Sequence, residues 1–263
     1  MLKNHLKIAW RNLRKNKGYA FINIGGLALG FAIALLIGLW IFDELSFNKQ
    51  HSSYDRIAEV LQNVNFDGTV ETWESQNYPL GDVLRTAYGS YFDEVVMSTY
   101  PRRSIFKYEE TVIGELGSFM EDGAPTVLDL KMVRGNKASF GDPNSIFLSA
   151  TLANSLFGED NPMGKSLTMN NETSLKVAGV YEDMPRSSNF RDETGYLASL
   201  DLLMVGAGPN KKGWLNNWLM VFVKMAENVT VEQASAAIKD VKLNNADAKT
   251  IADWTATLFH RHC

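Results

Sequence analysis

LFGEDNPMGKSL, residues 156–167, is the stretch on which the fold turns. Its Gly164-Lys165-Ser166, preceded by Gly158, comes close to G-x-x-x-x-G-K-[ST], the loop that cradles nucleotide phosphates where a buried strand gives way to a helix. A phosphate loop here would make the chain a nucleotide-binding α/β protein. The spacing fails first, because five residues, Glu159 to Met163, separate the two glycines where the loop needs four. The context fails as well: ATLANSLF before Gly158 reads as a helix capped by Ser149, the glycine stops it, Asn161-Pro162 turns, and SLTMN reads as a strand. Helix, turn, strand is the reverse of the required order. Pro162 removes an amide donor, and Glu159 and Asp160 would repel a polyphosphate. Lys165 is therefore expected to be a solvated residue beside a turn.

The segments around this stretch are short and mixed. Residues 56–66 and TVETW flank an Asp67-Gly68 turn and read as a hairpin. Pro79 opens a helix through LGDVLRTAYG. EVVMSTY, RRSIFKY and SIFLS read as strands, and SLTMN and SLKVAGVYED as a hairpin around Asn170-Asn171. WLMVFVKM is a further strand, and Thr230 with Gln233 makes a capping box for VEQASAAIKDVKL. The expected class is α+β, with a mixed domain over residues 43–245 and a C-terminal tail over 246–263.

Before that domain lies a different solvent regime. From Gly18 to Phe42 there is no charged residue, and a helix of about 25 residues spans a hydrocarbon core of roughly 30 Å. The run is too long for a cleaved signal core and lacks its small-residue site. Lys3, Lys7, Arg11, Arg14, Lys15 and Lys17 precede it and Asp43 and Glu44 follow, so the N-terminus is expected in the cytoplasm and the rest outside. In residues 1–17, Leu2, Leu6, Ala9, Trp10 and Leu13 recur at helical spacing, as in a helix lying on membrane lipid. Gly26, Gly30, Ala34 and Gly38 put four small residues on one face of the span, where helix backbones can approach closely in lipid.

Charge and chemistry exclude several classes. Residues 1–17 hold six of the 26 Lys and Arg and none of the 30 Asp and Glu, so the remainder is acidic, with 20 basic against 30 acidic groups. Nucleic acid would need clustered cations there. Cys263 is the single cysteine, so no internal disulfide forms. His5, His51, His260 and His262 show no metalloprotease spacing, a terminal His260, His262, Cys263 cluster is a poor metal site, and no G-x-S-x-G elbow occurs. Arg102-Arg103 could meet an anion, though a solvated turn is the simpler reading. Trp73, Trp214, Trp218 and Phe222 could line an apolar cleft or fill a core. No catalytic residue, cofactor or metal is expected.

Three pieces carry a family resemblance: KIAWRNLRKNKGYAFINIGGLALGFAIALLI at 7–37, SIFLSATLANSLFGEDNPMGKSLTMN at 145–170 and LKVAGVYEDMPRSSNF at 175–190. Together they resemble the MacB/FtsX-like permease subunits of ABC transporters, over the first transmembrane helix and the MacB-type periplasmic core domain. The resemblance gives 156–167 a structural task, with Leu156 and Phe157 buried and Gly158, Pro162 and Gly164 setting the backbone. It implies a subunit of the bacterial inner membrane with its main domain in the periplasm. Its implied partners are a homodimeric or related permease, a separate cytoplasmic ATPase subunit and a periplasmic partner protein, with no nucleic acid. Family members carry three further transmembrane helices after the domain; this chain ends IADWTATLFHRHC, so a truncated, transport-inactive front part is expected. A stand-alone anchored binding or sensor module is the alternative.

Overall fold

The structure, a computed structural model, describes residues 2–46, 56–66, 68–185, 190, 194–245 and 254–259. It divides into two compact units, residues 1–47 and 48–263. The first holds α1 (Leu2–Lys15) and α2 (Lys17–Ser46). Lys17–Phe42 has a mean hydropathy of 2.4 and none of the window buried, which makes it a candidate membrane span by length and composition.

The second unit runs β1 (Ile57–Phe66), β2 (Thr69–Trp73), β3 (Gln76–Asn77), α3 (Pro79–Ala87), β4 (Phe92–Thr99), β5 (Arg102–Tyr108), β6 (Thr111–Met120), α4 (Ala124–Val127) and β7 (Met132–Gly135). It continues with β8 (Ser145–Ser149), α5 (Ala150–Phe157), β9 (Ser166–Met169), β10 (Thr173–Tyr181), β11 (Tyr196–Ser199), α6 (Asp201–Met204) and α7 (Pro209–Lys212). Last come β12 (Asn217–Met225), α8 (Val231–Ile238), α9 (Val241–Asn245) and β13 (Trp254–Phe259).

Two substructures share one continuous sheet. β4, β12, β1 and β13 lie side by side, each antiparallel to its neighbour, so β1 and β4 run parallel with β12 between them and β12 and β13 run parallel with β1 between them. Two interleaved βαβ units joined in this way make the split βαβ, ferredoxin-like arrangement, with α3 in one crossover and α8 and α9 in the other. The sequence reading ends the core at 245; the structure carries it on, because Trp254–Phe259 pairs with Glu59–Val64 as the fourth strand. That strand is short and has β1 as its partner nearly 200 residues away, so local pattern alone does not mark it.

All of β5 to β11 is inserted between β4 and β12. There β11, β8, β10, β9, β5 and β6 pair in turn, and β6 pairs back onto β11, so the ring closes into a small barrel without free edges along it. Strand alternation sorts its side chains. Phe106, Phe119, Ile146, Leu148, Leu167, Met169, Leu175, Val177, Tyr196 and Ala198 share one core with the helix-facing side of the open sheet. Phe147, Leu197 and Tyr181 point the other way, into a second core with Ile57, Val96, Met220 and Phe222 of the open sheet and with α4. A bulge between Val177 and Gly179 shifts the parity of β10, which is why Val180 joins the first core and Tyr181 the second. The second core therefore fastens the outside of the barrel to the open sheet.

α5 lies across the ring, touching β5, β6, β8 and β10. Ser149 accepts from the Leu152 amide at its start and buries Leu152, Ala153, Leu156 and Phe157 beneath it. The Thr230 and Gln233 capping box is present at α8.

Candidate functional site

The amides of Gly158, Asp160, Met163, Gly164 and Lys165 in the 156–167 stretch are already taken and are not open to a phosphate. The Gly158 amide donates to Asn154 O (2.8 Å), Asp160 to Phe157 O (3.1 Å), Gly164 to Val177 O (2.8 Å) and Lys165 to Pro162 O (3.1 Å). The Met163 amide is taken by Asn161 Oδ1 at 3.3 Å, and Pro162 has none. Gly158 and Gly164 have φ of 59° and 77°, values that L side chains rarely adopt. Leu156 is 3% and Phe157 7% exposed, and Pro162 is buried. Lys165 is not simply solvated. Its Nζ lies 2.8 Å from Asp160 Oδ2 and 5.2 Å and 5.6 Å from the ring centres of Tyr108 and Phe157, which themselves meet at 4.4 Å. The hydrogen bond with Asp160 raises the lysine pKa above its ordinary value and lowers that of the aspartate. This lysine ties the turn to Tyr108 of β5 and Phe157 of α5.

Other sequence candidates disperse. The Arg102 guanidinium stacks 5.6 Å over Phe119, and Arg103 Nη1 donates to Gly114 O at 2.8 Å across the β5–β6 hairpin. Phe222 belongs to the second core, whereas Trp214 and Trp218 pack on the first and Trp73 donates to Glu71, so no aromatic cleft forms from them. Gly26, Gly30, Ala34 and Gly38 are exposed along α2, and a Cβ at any of these glycines would meet nothing within 4 Å. His51, His260, His262 and Cys263 lie outside the described residues. Among the described residues no group of His, Cys, Asp and Glu is arranged for a metal.

Two features escaped the sequence reading. A cleft of about 250 Å³ is lined by Arg85, Glu94, Glu121, Asp122 and Asp201. In it Arg85 pairs with Glu121, with Asp82 at 2.9 Å, and donates to Val95 O at 3.3 Å. Burial raises the Glu121 pKa, against the pull of Arg85 and of the Met97 amide. The second is Lys242 on α9, 0% exposed, whose Nζ donates to Gln62 on β1 and reaches Asn217 Oδ1 on β12 at 3.4 Å. Its signal was legible: Lys242 stands four residues after Ile238 and eight after Ala234, both buried, so it falls on the apolar face of the helical pattern.

This architecture is an apolar helix of spanning length followed by a split βαβ sheet with an inserted barrel. The fold recurs in a domain of a permease protein from Porphyromonas gingivalis, with a TM-score of 0.66 at 14% identity over 80% of this chain and 92% of that one. It recurs in the periplasmic region of MacB from Actinobacillus actinomycetemcomitans, with a TM-score of 0.54 at 16% identity over 77% and 88%. The extracellular domain of the noncanonic ABC-type transporter YknZ from Gram-positive bacteria matches at 0.51 and 16% over 76% and 99%. No curated protein matches the chain. Residues 20–241 match the family described as the MacB-like periplasmic core domain, and the chain belongs to that family.

Proposed function

We propose that the chain is a permease subunit, or the front part of one, in a MacB/FtsX-like ABC transporter, and that its extracytoplasmic domain passes on motion driven by an ATPase on a separate polypeptide. The observation that carries this reading is the direct succession of an apolar span and the core domain of this family. The missing phosphate loop is consistent with ATP chemistry residing elsewhere, and the basic flank before α2 supports a cytoplasmic N-terminus with the domain in the periplasm. The test isolates the full chain from cross-linked membranes of its own cells. A polypeptide bearing a complete phosphate loop is expected to co-purify, and a phosphatase reporter fused after residue 225 is expected to be active only outside the cytoplasm. A cytoplasmic domain would end this reading.

The exposed Gly26, Gly30, Ala34, Gly38 face supports a second element of the proposal, packing of α2 against a like helix in a permease dimer. Gly30→Leu is expected to weaken self-association in a membrane two-hybrid assay by about tenfold, the equivalent of roughly 1.4 kcal/mol. Unchanged association would favour the alternative, a stand-alone anchored binding or sensor module.

A further inference from the structure

α1 is a helix of 14 residues, LKNHLKIAWRNLRK, without an acidic residue. Helices of this length are marginal in water on propensity alone. Lys3, Lys7, Arg11 and Lys15 also follow one another at four-residue spacing, and like charges on successive turns destabilise a helix. No countercharge is near in its own unit: the first acidic residue, Asp43, stands toward the far end of α2, about 39 Å from the start of that helix at a rise of about 1.5 Å per residue.

At about 3.6 residues per turn, Leu2, Leu6, Ala9, Trp10 and Leu13 fall on one arc of α1. The two borders of that arc differ: Lys3, Lys7 and Arg14 follow on one side, whereas His5 and Asn12 follow on the other. Trp10 is 64% exposed, and Lys7 and Arg14 are exposed as well. Asn16 alone separates α1 from α2, so α1 lies where the candidate span enters lipid. An apolar arc edged by cations, with a tryptophan among its members, suits a helix at the level of lipid headgroups. We propose that α1 docks on anionic lipid headgroups of the leaflet from which α2 enters, with Lys3, Lys7 and Arg14 as the edge that meets them, and that these headgroups supply the countercharge the helix lacks. This docking rests on the reading above, in which α2 spans the membrane and the acidic second unit lies across it.

Hydrogen exchange of the full chain tests this in nanodiscs of phosphatidylcholine alone and of phosphatidylcholine with roughly one-third phosphatidylglycerol. Amides of α1 are expected to exchange at least about tenfold more slowly in the anionic discs, an excess that about 0.5 M salt removes because headgroup attraction is screened over a Debye length. Lys3→Gln with Lys7→Gln and Arg14→Gln should abolish the excess, while the charge-keeping set Lys3→Arg, Lys7→Arg and Arg14→Lys should keep it. Arg11→Gln with Lys15→Gln, off that edge, should keep most of it. Equal protection in both discs, high or low, overturns the proposal: α1 would then be held by its apolar arc alone or by a protein partner. A loss in the Arg11, Lys15 pair as complete as in the triple variant assigns the excess to net charge rather than to the edge, and overturns it too. Amides 22–40 of α2 separate this failure from failure of the spanning reading. If they exchange freely in both discs, the span is absent and the docking falls with it; if they are protected while α1 is indifferent to phosphatidylglycerol, only the docking falls.

Discussion

Gly117→Ala is expected to lower the stability of the second unit by about 3 kcal/mol, near the upper range for overpacking a core. Gly117 faces Tyr196 where β6 and β11 run parallel, the pairing that closes the barrel. A Cβ there would lie 2.2 Å from Tyr196 O and 2.4 Å from its ring. A flexible side-chain tip could move aside, but a backbone oxygen cannot without unzipping the seam. Nor is the ring free. The Tyr196 hydroxyl is 2.8 Å from Ser104 Oγ and donates to Arg102 O at 3.0 Å, and the ring meets Phe106 edge-on at 4.8 Å. For a domain of this size the loss corresponds to a drop in Tm of about 6–12 °C, read by thermal unfolding of the full chain in detergent. Gly208→Ala is the control, since nothing lies within 4 Å of its Cβ position and its φ of −70° suits alanine. If both variants melt together, the seam is not where the barrel is held.

The same glycine explains why part of the fold stays hidden in the sequence. Local chemistry marks the helix caps at Ser149 and Thr230, the Gly158 stop, and the Asn170-Asn171 hairpin, whose φ values of 53° and 59° fit the left-handed turn that asparagine tolerates. Those features depend on residues a few positions apart. β6, TVIGELGSFM, is not marked, because Gly114, Glu115 and Gly117 dilute the strand pattern. Yet the absence of a side chain at 117 is what lets β11 approach. β13 is hidden for a related reason: its strand character is realised only against β1. Lys165 shows the opposite limit. Its position beside Gly164 suggests a phosphate ligand, and only the pairing of the turn amides with carbonyls of β10, α5 and the turn itself reveals a closed structure. The carboxylates and Arg85 around the cleft come from α3, β4 and the segments after β6 and β11, so no spacing announces them.

Phe147→Ala is expected to destabilise the unit by about 3–5 kcal/mol, the usual cost of emptying a buried phenylalanine site, and to do so by loosening the barrel from the open sheet rather than by opening the barrel. Phe147 is 0% exposed on β8, yet it points away from the barrel interior, edge-on to Phe140 at 5.1 Å, in the core that also contains Val96, Met220 and Phe222 of the open sheet. Its neighbours Ile146 and Leu148 face inward instead. The cavity left by the ring cannot collapse easily, because its walls are two sheet faces held by their own ladders. Denaturant unfolding reads the total loss, and hydrogen exchange reads its place. Amides around α4 and the Lys137–Gly141 turn, which fill the space between barrel and sheet, should lose protection more than those of β5 and β9 on the far side of the ring. A loss below about 1 kcal/mol, or a uniform loss of protection, would mean that the two substructures are held by the first core and the continuous sheet instead. In the proposed permease this difference matters. β4 and β6 pair at Ser98–Met120, and the first and second cores both span the open sheet and the barrel, so the second core is one of two packed routes by which motion delivered to the open sheet reaches the barrel. A variant that keeps both substructures folded while loosening that core should retain any ATPase partner and weaken its effect on the barrel.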